Sequence, residues 1–302
     1  MNTMQKQRIL WLDIAKGIAI ILMVLGHSNI PPVVSNFIWA FHMPLFFVAS
    51  GYTTNWDKYS GLMFVRKKTT SIMRPFVIYS FLLYIVIRIT DVQVDISNLL
   101  SEGWGGMALW FVPVLFVALL FAYIYYRIRS RKKWCYLAFL LGFSAVLSYY
   151  DVVLPWNMSV APYAVLYIIV GGIMKMYWKE KEWIELWKMV VMVGLIFLIS
   201  QNWRLDMCEN KILPLCPLFT SAMAGVIFVF SLSYIIENNI RVLSKILQYI
   251  GRETYIILAF SQIIIVAENH YGIRSSILKY AILILTLYVL ICLKNVITRC
   301  VN

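Results

Sequence analysis

Three ionisable side chains interrupt the first apolar segment of the chain, residues 9–27. Asp13, Lys16 and His27 stand among Leu, Ile, Met and Val residues that are suited to lipid. A charged side chain at membrane depth costs about 3 kcal/mol or more, so such a residue usually serves a function. Because an α-helix turns about 100° per residue, all three side chains fall within a stripe narrower than about 60°. The spacing predicts one polar groove, with Lys16 and His27 roughly 16 Å apart along the helix axis.

Histidine is the natural candidate for a general base in this groove. Neutral imidazole accepts a proton near pH 7 from a hydroxyl that attacks a carbonyl. His27 fits this role because it completes the polar face and precedes the polar turn SNIPP. His42, one turn into the second segment, has two open interpretations: a direct catalytic role, or a bond to backbone freed by Pro44. His270, in ENHYGIR, is predicted to be an interfacial side chain.

Four basic residues cluster before the third apolar segment: Arg66, Lys67, Lys68 and Arg74. Their charge can bind the phosphates of a nucleotide-like cofactor, although the positive-inside rule also accounts for such a cluster. Arg74 is the strongest candidate, because Pro75 is a favourable first helical residue and would hold Arg74 at the helix entrance. The sequence has no HExxH or CxxC motif, so we expect no metal site.

The elements that must position these residues are membrane helices. Of the 302 residues, 62% are hydrophobic and 14% charged, and the mean hydropathy is +0.77. This composition leaves too little polar surface for a water-soluble globule. With about 20 apolar residues per span, the sequence predicts an all-α polytopic membrane helix bundle of about ten transmembrane helices, forming a single domain over residues 1–302. The predicted spans are residues 9–27, 36–55, 74–90, 107–126, 134–150, 160–177, 185–201, 216–236, 251–267 and 275–294.

Basic residues concentrate in alternate loops, as the positive-inside rule describes. The loops that we assign to the cytoplasm include the run from Arg127 to Lys133 and the stretch from Arg241 to Arg252, whereas the intervening loops are acidic. Both termini are then cytoplasmic, which agrees with an even number of spans. The net charge of +13 therefore indicates membrane topology and not nucleic-acid binding. We expect a multi-pass protein of the plasma membrane, surrounded by bilayer lipid.

Two expectations concern processing. The first apolar segment should remain in the mature protein, because it is span-length, contains charge and lacks a cleavage pattern. Of the five cysteines, Cys208 and Cys216 share a predicted outer loop. A disulfide and two free thiols are equally open there.

The order of motifs along the chain resembles one protein family. An acidic residue (Asp13), a basic residue three positions later (Lys16) and a histidine eleven beyond that (His27) precede F-x-M-P-L-F-F-x-x-S-G-Y. The similarity continues in the K-K-x5-R-P stretch of residues 67–75, in LWF at 109–111 and in IGRETYIILAFS near the C-terminus. This ordered set is similar to the acyltransferase 3 family of integral membrane acyltransferases, especially its branch related to fucose 4-O-acetylase.

The resemblance implies a helix bundle of the predicted size that transfers an acyl group, usually acetyl from acetyl-CoA, to a hydroxyl of a cell-envelope sugar. Such an enzyme is an acyltransferase transferring groups other than aminoacyl groups, and its acceptor is a carbohydrate. Two positions depart from the family pattern, because many members have arginine in place of Lys16 and histidine in place of Ser261. Lysine keeps the charge but lacks the bidentate fork of arginine.

Residues and resemblance combine into one hypothesis. The phosphates of acetyl-CoA bind at the basic cytoplasmic end, and the coenzyme's arm runs along the groove to His27. The imidazole either deprotonates the acceptor hydroxyl or carries the acyl group itself. A transporter or flippase for a sugar or lipid-linked precursor is the alternative, because polar groups in a helix bundle also line transport pathways. The candidate catalytic residues are His27, Asp13 and His42, and the candidate cofactor-binding residues are Lys16, Arg74, Lys67 and Lys68.

Overall fold

A computed structural model describes residues 8–90, 92, 108–178 and 185–301. Within these residues the chain forms α-helices joined by short connections, and the only strand-like pairing is one antiparallel bridge between Asp206 and Lys211. The all-α fold class is therefore confirmed. The predicted outer loop 91–106, apart from Val92, lies outside the described residues, as do residues 179–184 of a predicted cytoplasmic loop.

Each of the ten predicted spans contains at least one helix. A π-helical turn (Thr69–Met73) joins α4 to α5, and the 3₁₀ turns Ala108–Trp110 and Pro155–Val160 lead into α6 and α8. In chain order the helices are α1 (Leu10–Gly26), α2 (Pro32–Trp39), α3 (His42–Thr53), α4 (Gly61–Lys68), α5 (Arg74–Thr90), α6 (Phe111–Arg127), α7 (Lys132–Tyr149), α8 (Ala161–Tyr177), α9 (Leu186–Asn202), α10 (Leu215–Asn239), α11 (Arg241–Arg252), α12 (Thr254–His270) and α13 (Ser276–Val301).

Among the described residues, six helical segments are long and apolar enough to cross a membrane. A seventh is added if α11 and α12, which are bent by 78° at their junction, count as one span. A polytopic membrane bundle is thus confirmed, whereas the count of ten spans stays a prediction. The six segments are Pro32–Thr53, Gly61–Thr90, Ala108–Arg127, Pro155–Tyr177, Leu215–Asn239 and Ser276–Arg299.

The interior of the bundle is formed mainly by α1, α3, α6, α8 and α10. The apolar window of Pro155–Tyr177 is 78% buried, whereas that of Ser276–Arg299 is 17% buried. The exposed surfaces of α5, α7, α9 and α13 are covered by large apolar side chains. A surface of this kind needs lipid around it, because contiguous apolar area of this extent is rare in water-soluble monomers.

Two pairs of helices touch backbone to backbone, and glycine stands at each crossing. Where α3 meets α8, a Cβ on Gly51 or on Gly171 would lie 2.0 Å from a carbonyl oxygen of the partner helix. Where α1 meets α11, the corresponding distances are 2.3 Å for Gly17 and 1.8 Å for Gly251. Small residues permit this close packing between membrane helices. The two crossings fix α1 and α3, the helices that position the first two histidines.

The second predicted span, residues 36–55, is divided into two helices. α2 begins at Pro32, where a missing N–H suits the first turn. α3 begins at His42, after Phe41 has left the helical conformation with φ −140°. The prediction that His42 lies one turn into a helix is therefore wrong. Pro44 falls in the first turn of α3, where its missing N–H breaks no helical bond.

The third predicted span, residues 74–90, is the second half of a longer helical segment, Gly61–Thr90. Arg74 is consequently not at a helix entrance, which corrects the prediction made from Pro75. The π-helical turn Thr69–Met73 comes directly before Arg74. In a regular α-helix the ring of Pro75 would collide with the carbonyl one turn earlier, and a wider turn relieves that collision.

The two ends of the bundle differ in charge. Arg8 and Arg252 contact Asp13 near the start of α1. Lys294 in α13 forms an ion pair with Glu253, the residue that follows Arg252. Both termini of the described chain therefore lie at one end, in agreement with the predicted topology. We call this the basic end, and the opposite end, with Asp151, Asp206 and Glu209, the acidic end. α11 lies at the basic end, where the sequence predicts only a loop.

Candidate active site

A cavity of about 930 Å³ lies at the acidic end, where the C-terminus of α1 faces the start of α3. We call it the upper cavity. His27 and His42 both line it, and the centroids of their rings are 6.5 Å apart. The structure therefore brings together two histidines from separate helices. Other lining residues are Trp39, Trp110, Asn157, Asp206 and Gln262.

His27 caps the C-terminus of α1. Its Nδ1 donates a hydrogen bond to the carbonyl oxygen of Met23 over 2.8 Å. Because a carbonyl oxygen only accepts, Nδ1 carries the hydrogen and Nε2 keeps the lone pair of the neutral ring. The side chain is partly exposed to the cavity. A neutral imidazole with a free Nε2 beside an open cavity is suited to accept a proton.

His42 is the first residue of α3 and is buried. Its Nδ1 donates to the carbonyl oxygen of Ile38 over 3.0 Å. His42 therefore bonds to backbone and also borders the cavity, but its acceptor lies at the break between α2 and α3 and is not a carbonyl freed by Pro44. A direct catalytic role for His42 stays a prediction.

The aromatic side chain of Trp39 lies against the rings of both histidines. The indole of Trp39 lies 5.3 Å from the ring of His27, tilted by 33°, and its Nε1 donates to the carbonyl oxygen of Gly26 over 3.2 Å. The guanidinium of Arg204 lies 4.1 Å from the centre of the Trp39 ring. This is a cation–π contact. Trp39 is thus held by a hydrogen bond and a cation, and it restricts the orientation of His27.

The connection between α9 and α10 forms one wall of the upper cavity. The carboxylate of Asp206 accepts hydrogen bonds from the backbone N–H groups of Cys208 and Glu209, each over 3.1 Å. Burial raises the pKa of Asp206 above its usual range. A carboxyl of this kind can accept a hydrogen bond from a sugar hydroxyl. The sequence places Asp206 in one of the predicted acidic loops and gives no indication of its position at the site.

Asn157 links the connection before α8 to the connection between α9 and α10 at the acidic end. Its φ of 55° is in the left-handed region, and its Nδ2 donates to the carbonyl oxygen of Cys208. The Oδ1 atom is buried without a hydrogen-bond partner among the described residues. Neither Asn157 nor Asp206 carries a local sequence signal, because each reaches the cavity through tertiary structure.

Gln262 borders the cavity from α12, and its Oε1 accepts a hydrogen bond of 2.6 Å from the backbone N–H of Ala108. Sequence reasoning missed this residue too, although a glutamine in the apolar run ILAFSQIIIVA is a usable signal. The neighbouring Ser261 is buried, and its hydroxyl has no partner among the described residues. The polar group that α12 offers to the cavity is thus the amide of Gln262.

Cys208 and Cys216 are both free thiols in the structure, so the possible disulfide between them is not formed. Burial raises the pKa of Cys208 to about 12. A thiol with so high a pKa stays protonated at neutral pH and is a poor nucleophile. No group of three His, Cys, Asp or Glu side chains is placed to hold a metal ion in the described part of the chain.

A second cavity, of about 200 Å³, lies toward the basic end, and we call it the lower cavity. Lys16 lines it, together with the hydroxyl side chains of Ser50, Thr53 and Ser71. Ser71 belongs to the π-helical turn, so this turn forms part of the cavity wall. The hydroxyl of Tyr255 donates to the carbonyl oxygen of Ile72 over 3.0 Å and fixes the turn in place.

The upper and lower cavities are both bordered by α1, α3 and α12. The 3₁₀ turn Ala108–Trp110 borders the upper cavity, and the start of α6, which follows it directly, borders the lower one. On α1, Lys16 and Ile20 line the lower cavity, and Met23 and His27 line the upper one. Steps of four, three and four residues keep these side chains on one helix face. The predicted groove along α1 is therefore present as two cavities arranged along one helix face.

Asp13 does not line either cavity. The buried carboxylate forms ion pairs with Lys16 over 2.9 Å, with Arg8 over 2.6 Å and with Arg252 over 3.7 Å. It lies about 21 Å along α1 from His27. The structure thus separates Asp13 from the histidines and places it where it orients Lys16. A direct catalytic role for Asp13 has no geometric support.

The remaining basic candidates line neither cavity, although they flank residues that line the lower one. Lys68 donates to the hydroxyl of Thr54 over 3.1 Å, Lys67 lies over the Tyr59 ring, and Arg74 is exposed. The five residues between Lys68 and Arg74 form the π-helical turn that borders the cavity. The positions of these cations suit contact with a polyanion at the basic end, although the structure does not gather them into one pocket.

Comparison of the sequence with known protein families identifies the family to which the chain belongs. The model of a family of acyltransferase domains, acyltransferase 3, matches residues 9–296 of this chain. The chain belongs to the acyltransferase 3 family. The matched residues include the lining of both cavities and nearly every described helix. The protein is therefore a membrane acyltransferase. Among curated proteins and among solved structures, no match was found.

Within the acyltransferase 3 family, similarity to the fucose 4-O-acetylase branch stays a prediction. The residues on which the family resemblance depends are placed in different surroundings: Lys16 at the lower cavity, His27 at the upper cavity and Asp13 in an ion cluster. At the position of Ser261, the side chain of α12 that lines the upper cavity is that of the neighbouring Gln262.

Proposed function

We propose that this acyltransferase moves an acetyl group from acetyl-CoA to a hydroxyl of a cell-envelope carbohydrate, with His27 as general base, in the plasma membrane. The observation that carries the proposal is the single face of α1 that presents Lys16 to the lower cavity and His27 to the upper one. A cation for the donor and a base for the acceptor are thereby held on one rigid element.

The donor is expected to enter from the basic end. Lys16, Lys68 and Arg74 lie on that side, and phosphates are attracted by such cations. The lower cavity is small and combines apolar walls with the hydroxyls of Ser50 and Thr53. A long, thin pantetheine arm with two amide groups suits this lining. Its thioester would then meet the upper cavity at His27.

The acceptor is expected in the upper cavity. Its volume of about 930 Å³ lies within the range of small-molecule sites. Trp39 and Trp110 offer aromatic faces, and Asp206, Asn157 and Gln262 offer polar groups. Aromatic faces with a few hydrogen-bonding side chains suit a sugar, which has apolar faces and a hydroxylated rim.

In the transfer step, one proton moves from the acceptor hydroxyl to His27 and then to the leaving thiolate, so His27 returns to its neutral form. Nε2 of His27 takes the proton of the acceptor hydroxyl as the hydroxyl oxygen attacks the thioester carbonyl. The new C–O bond forms, the C–S bond breaks, and the proton on imidazole passes to the departing coenzyme A thiolate. The hydrogen bond from Nδ1 to Met23 holds the ring in the required tautomer throughout. His42 borders the same space and is positioned to hydrogen-bond the acceptor or the thioester oxygen.

The test is transfer of radiolabel from [acetyl-¹⁴C]acetyl-CoA in membranes that contain the full chain. We expect label in the envelope polysaccharide fraction, released by mild alkali as an ester requires, and absent from membranes without the protein. Label that remains in acetyl-CoA while polysaccharide precursors cross the membrane would contradict the proposal and support a transporter. Label in alkali-stable form would contradict O-acetylation.

A further inference from the structure

α11 is an amphipathic helix with three distinct faces. With about 100° per residue, its positions fall into a buried row, an exposed apolar row and a basic row. The buried row packs against α1. The buried row is Ser244, Leu247 and Gly251; the exposed apolar row is Val242, Ile246 and Tyr249; the basic row is Arg241, Lys245 and Arg252.

Most of the surface of Val242 and Ile246, in the exposed apolar row, is not covered by other described residues. Val242 is 74% exposed and Ile246 is 52% exposed. These side chains point away from α1, since they lie roughly 150° around the helix from the buried row. They adjoin a bundle whose outer helices also expose large apolar side chains. A bilayer that surrounds the bundle therefore reaches this row as well.

The direction of α11 fits a position in the membrane interface. It is bent by 78° from α12, so it runs nearly across the direction of that membrane helix. α11 lies at the basic end, because Arg252 contacts Asp13 beside Arg8. A helix with an apolar face and a lysine- or arginine-rich face lies in the plane of the interface, with its cations at headgroup level.

Two cations of the basic row are available to a ligand. Arg252 is engaged with Asp13. Arg241 and Lys245 are exposed, and neither has a side-chain hydrogen bond or ion pair within the described residues. They are four positions apart and therefore adjacent on one helix face. Two neighbouring cations above an apolar row match the chemistry of a lipid with an anionic phosphate headgroup.

We propose that α11 lies in the membrane interface at the basic end and that Arg241 and Lys245 bind the headgroup phosphate of anionic lipids. The apolar row contacts the acyl chains of the same leaflet. This lipid site is separate from both cavities and goes beyond the proposed acyl transfer. Because Gly251 of α11 contacts α1 directly, a lipid bound here also holds α11 against the helix that carries Lys16 and His27.

The experiment measures the thermal unfolding midpoint of the full chain in uncharged detergent, with phosphatidylglycerol or phosphatidylcholine added. For the wild-type chain we expect phosphatidylglycerol to raise the midpoint and phosphatidylcholine to leave it nearly unchanged. The double variant Arg241→Gln/Lys245→Gln should lose at least half of the rise. Its midpoint without added lipid should equal that of wild type, because both side chains are exposed and lack partners.

Two further variants make the test specific. Arg129→Gln/Arg131→Gln removes two exposed charges from another basic connection and should keep the full rise. Arg241→Lys/Lys245→Arg keeps both charges and should also keep it. The proposal is overturned if the glutamine double variant retains the whole rise, if its basal midpoint falls so that the rise cannot be assigned to lipid, or if inorganic phosphate alone reproduces the rise.

Discussion

Both cavity histidines donate their Nδ1 hydrogen to a carbonyl one turn earlier, which leaves each Nε2 with the lone pair. The difference between them is exposure. His27 is partly open to the upper cavity, whereas His42 is buried. His27 is therefore the side chain that can exchange a proton with a bound hydroxyl, and His42 is better placed to support it.

Replacement of His27 by glutamine should reduce kcat by at least about 100-fold, because general-base catalysis typically contributes that much or more. Glutamine keeps a polar side chain of similar reach, so the amount of protein in the membrane and its unfolding midpoint should not change. The measurement is acetyl transfer at matched protein levels. His270→Gln is the matched control, since His270 is exposed at the end of α12 and should keep wild-type activity. Equal losses in both variants would argue against a base at His27.

Replacement of Lys16 by glutamine should act on the donor. We expect the KM for acetyl-CoA to rise about tenfold, which corresponds to about 1.4 kcal/mol, with a smaller effect on kcat. Asp13 keeps Arg8 and Arg252 as partners, so the buried carboxylate stays compensated. Lys16→Arg should preserve the KM because the charge remains. A fall in kcat at unchanged KM would place Lys16 in the chemical step instead.

At the scale of single residues, spacing alone predicts which side chains share a helix face but not which groups tertiary contacts add. The shared face of Lys16 and His27 was predictable because helical periodicity relates residues of one segment, whereas their roles stay predictions. The same periodicity grouped Asp13 with them, and only the structure shows Arg252 arriving from α11 to complete an ion cluster around it. Asn157 and Asp206 were not predictable, because tertiary contacts between loops bring them to the cavity.

At the scale of elements, close helix crossings determine where the two cavity histidines lie relative to each other. α3 carries His42 and meets α8 at Gly51 and Gly171. α1 carries His27 and meets α11 at Gly17 and Gly251. Both crossings leave no room for a methyl group. The positions of the two rings therefore depend on four glycines that lie outside the cavities.

Gly171→Ala should destabilise the protein by about 1 to 3 kcal/mol, because the added Cβ would lie 2.0 Å from the carbonyl oxygen of Val48 and force α3 and α8 apart. The unfolding midpoint in detergent measures this effect. Gly142→Ala is the matched control, since nothing lies within 4 Å of a Cβ at that position of α7. The control should be neutral or slightly stabilising, as alanine is the better helix former. Similar midpoints for both variants would show that the crossings tolerate separation.

Hydrophobic periodicity predicted where helices lie but not where they break or bend. All ten predicted segments contain a helix, because long apolar runs report burial in lipid or protein. The break before His42 and the π-helical turn before Arg74 depend on local backbone geometry around proline. The sequence predicts a loop in place of α11, because its three basic residues lower the mean hydropathy although its apolar residues form a regular row.

At the scale of the whole molecule, the two cavities face opposite ends of different charge. Lys16 and the π-helical turn lie toward the basic end, and the histidines lie toward the acidic end. The positive-inside rule assigns the basic end to the cytoplasm. In the proposed reaction the acetyl-CoA donor would therefore come from the cytoplasmic side and the acceptor from the opposite side.

The most direct measurement of this account is the sidedness of transfer in sealed inside-out vesicles. These vesicles expose the cytoplasmic face, and acetyl-CoA does not cross the bilayer unaided. We predict that labelled acetyl-CoA added outside the vesicles gives alkali-labile label on polysaccharide enclosed in the lumen with wild-type protein, and none with His27→Gln. Transfer only when acetyl-CoA is enclosed in the lumen, or equal transfer by His27→Gln, would contradict the account.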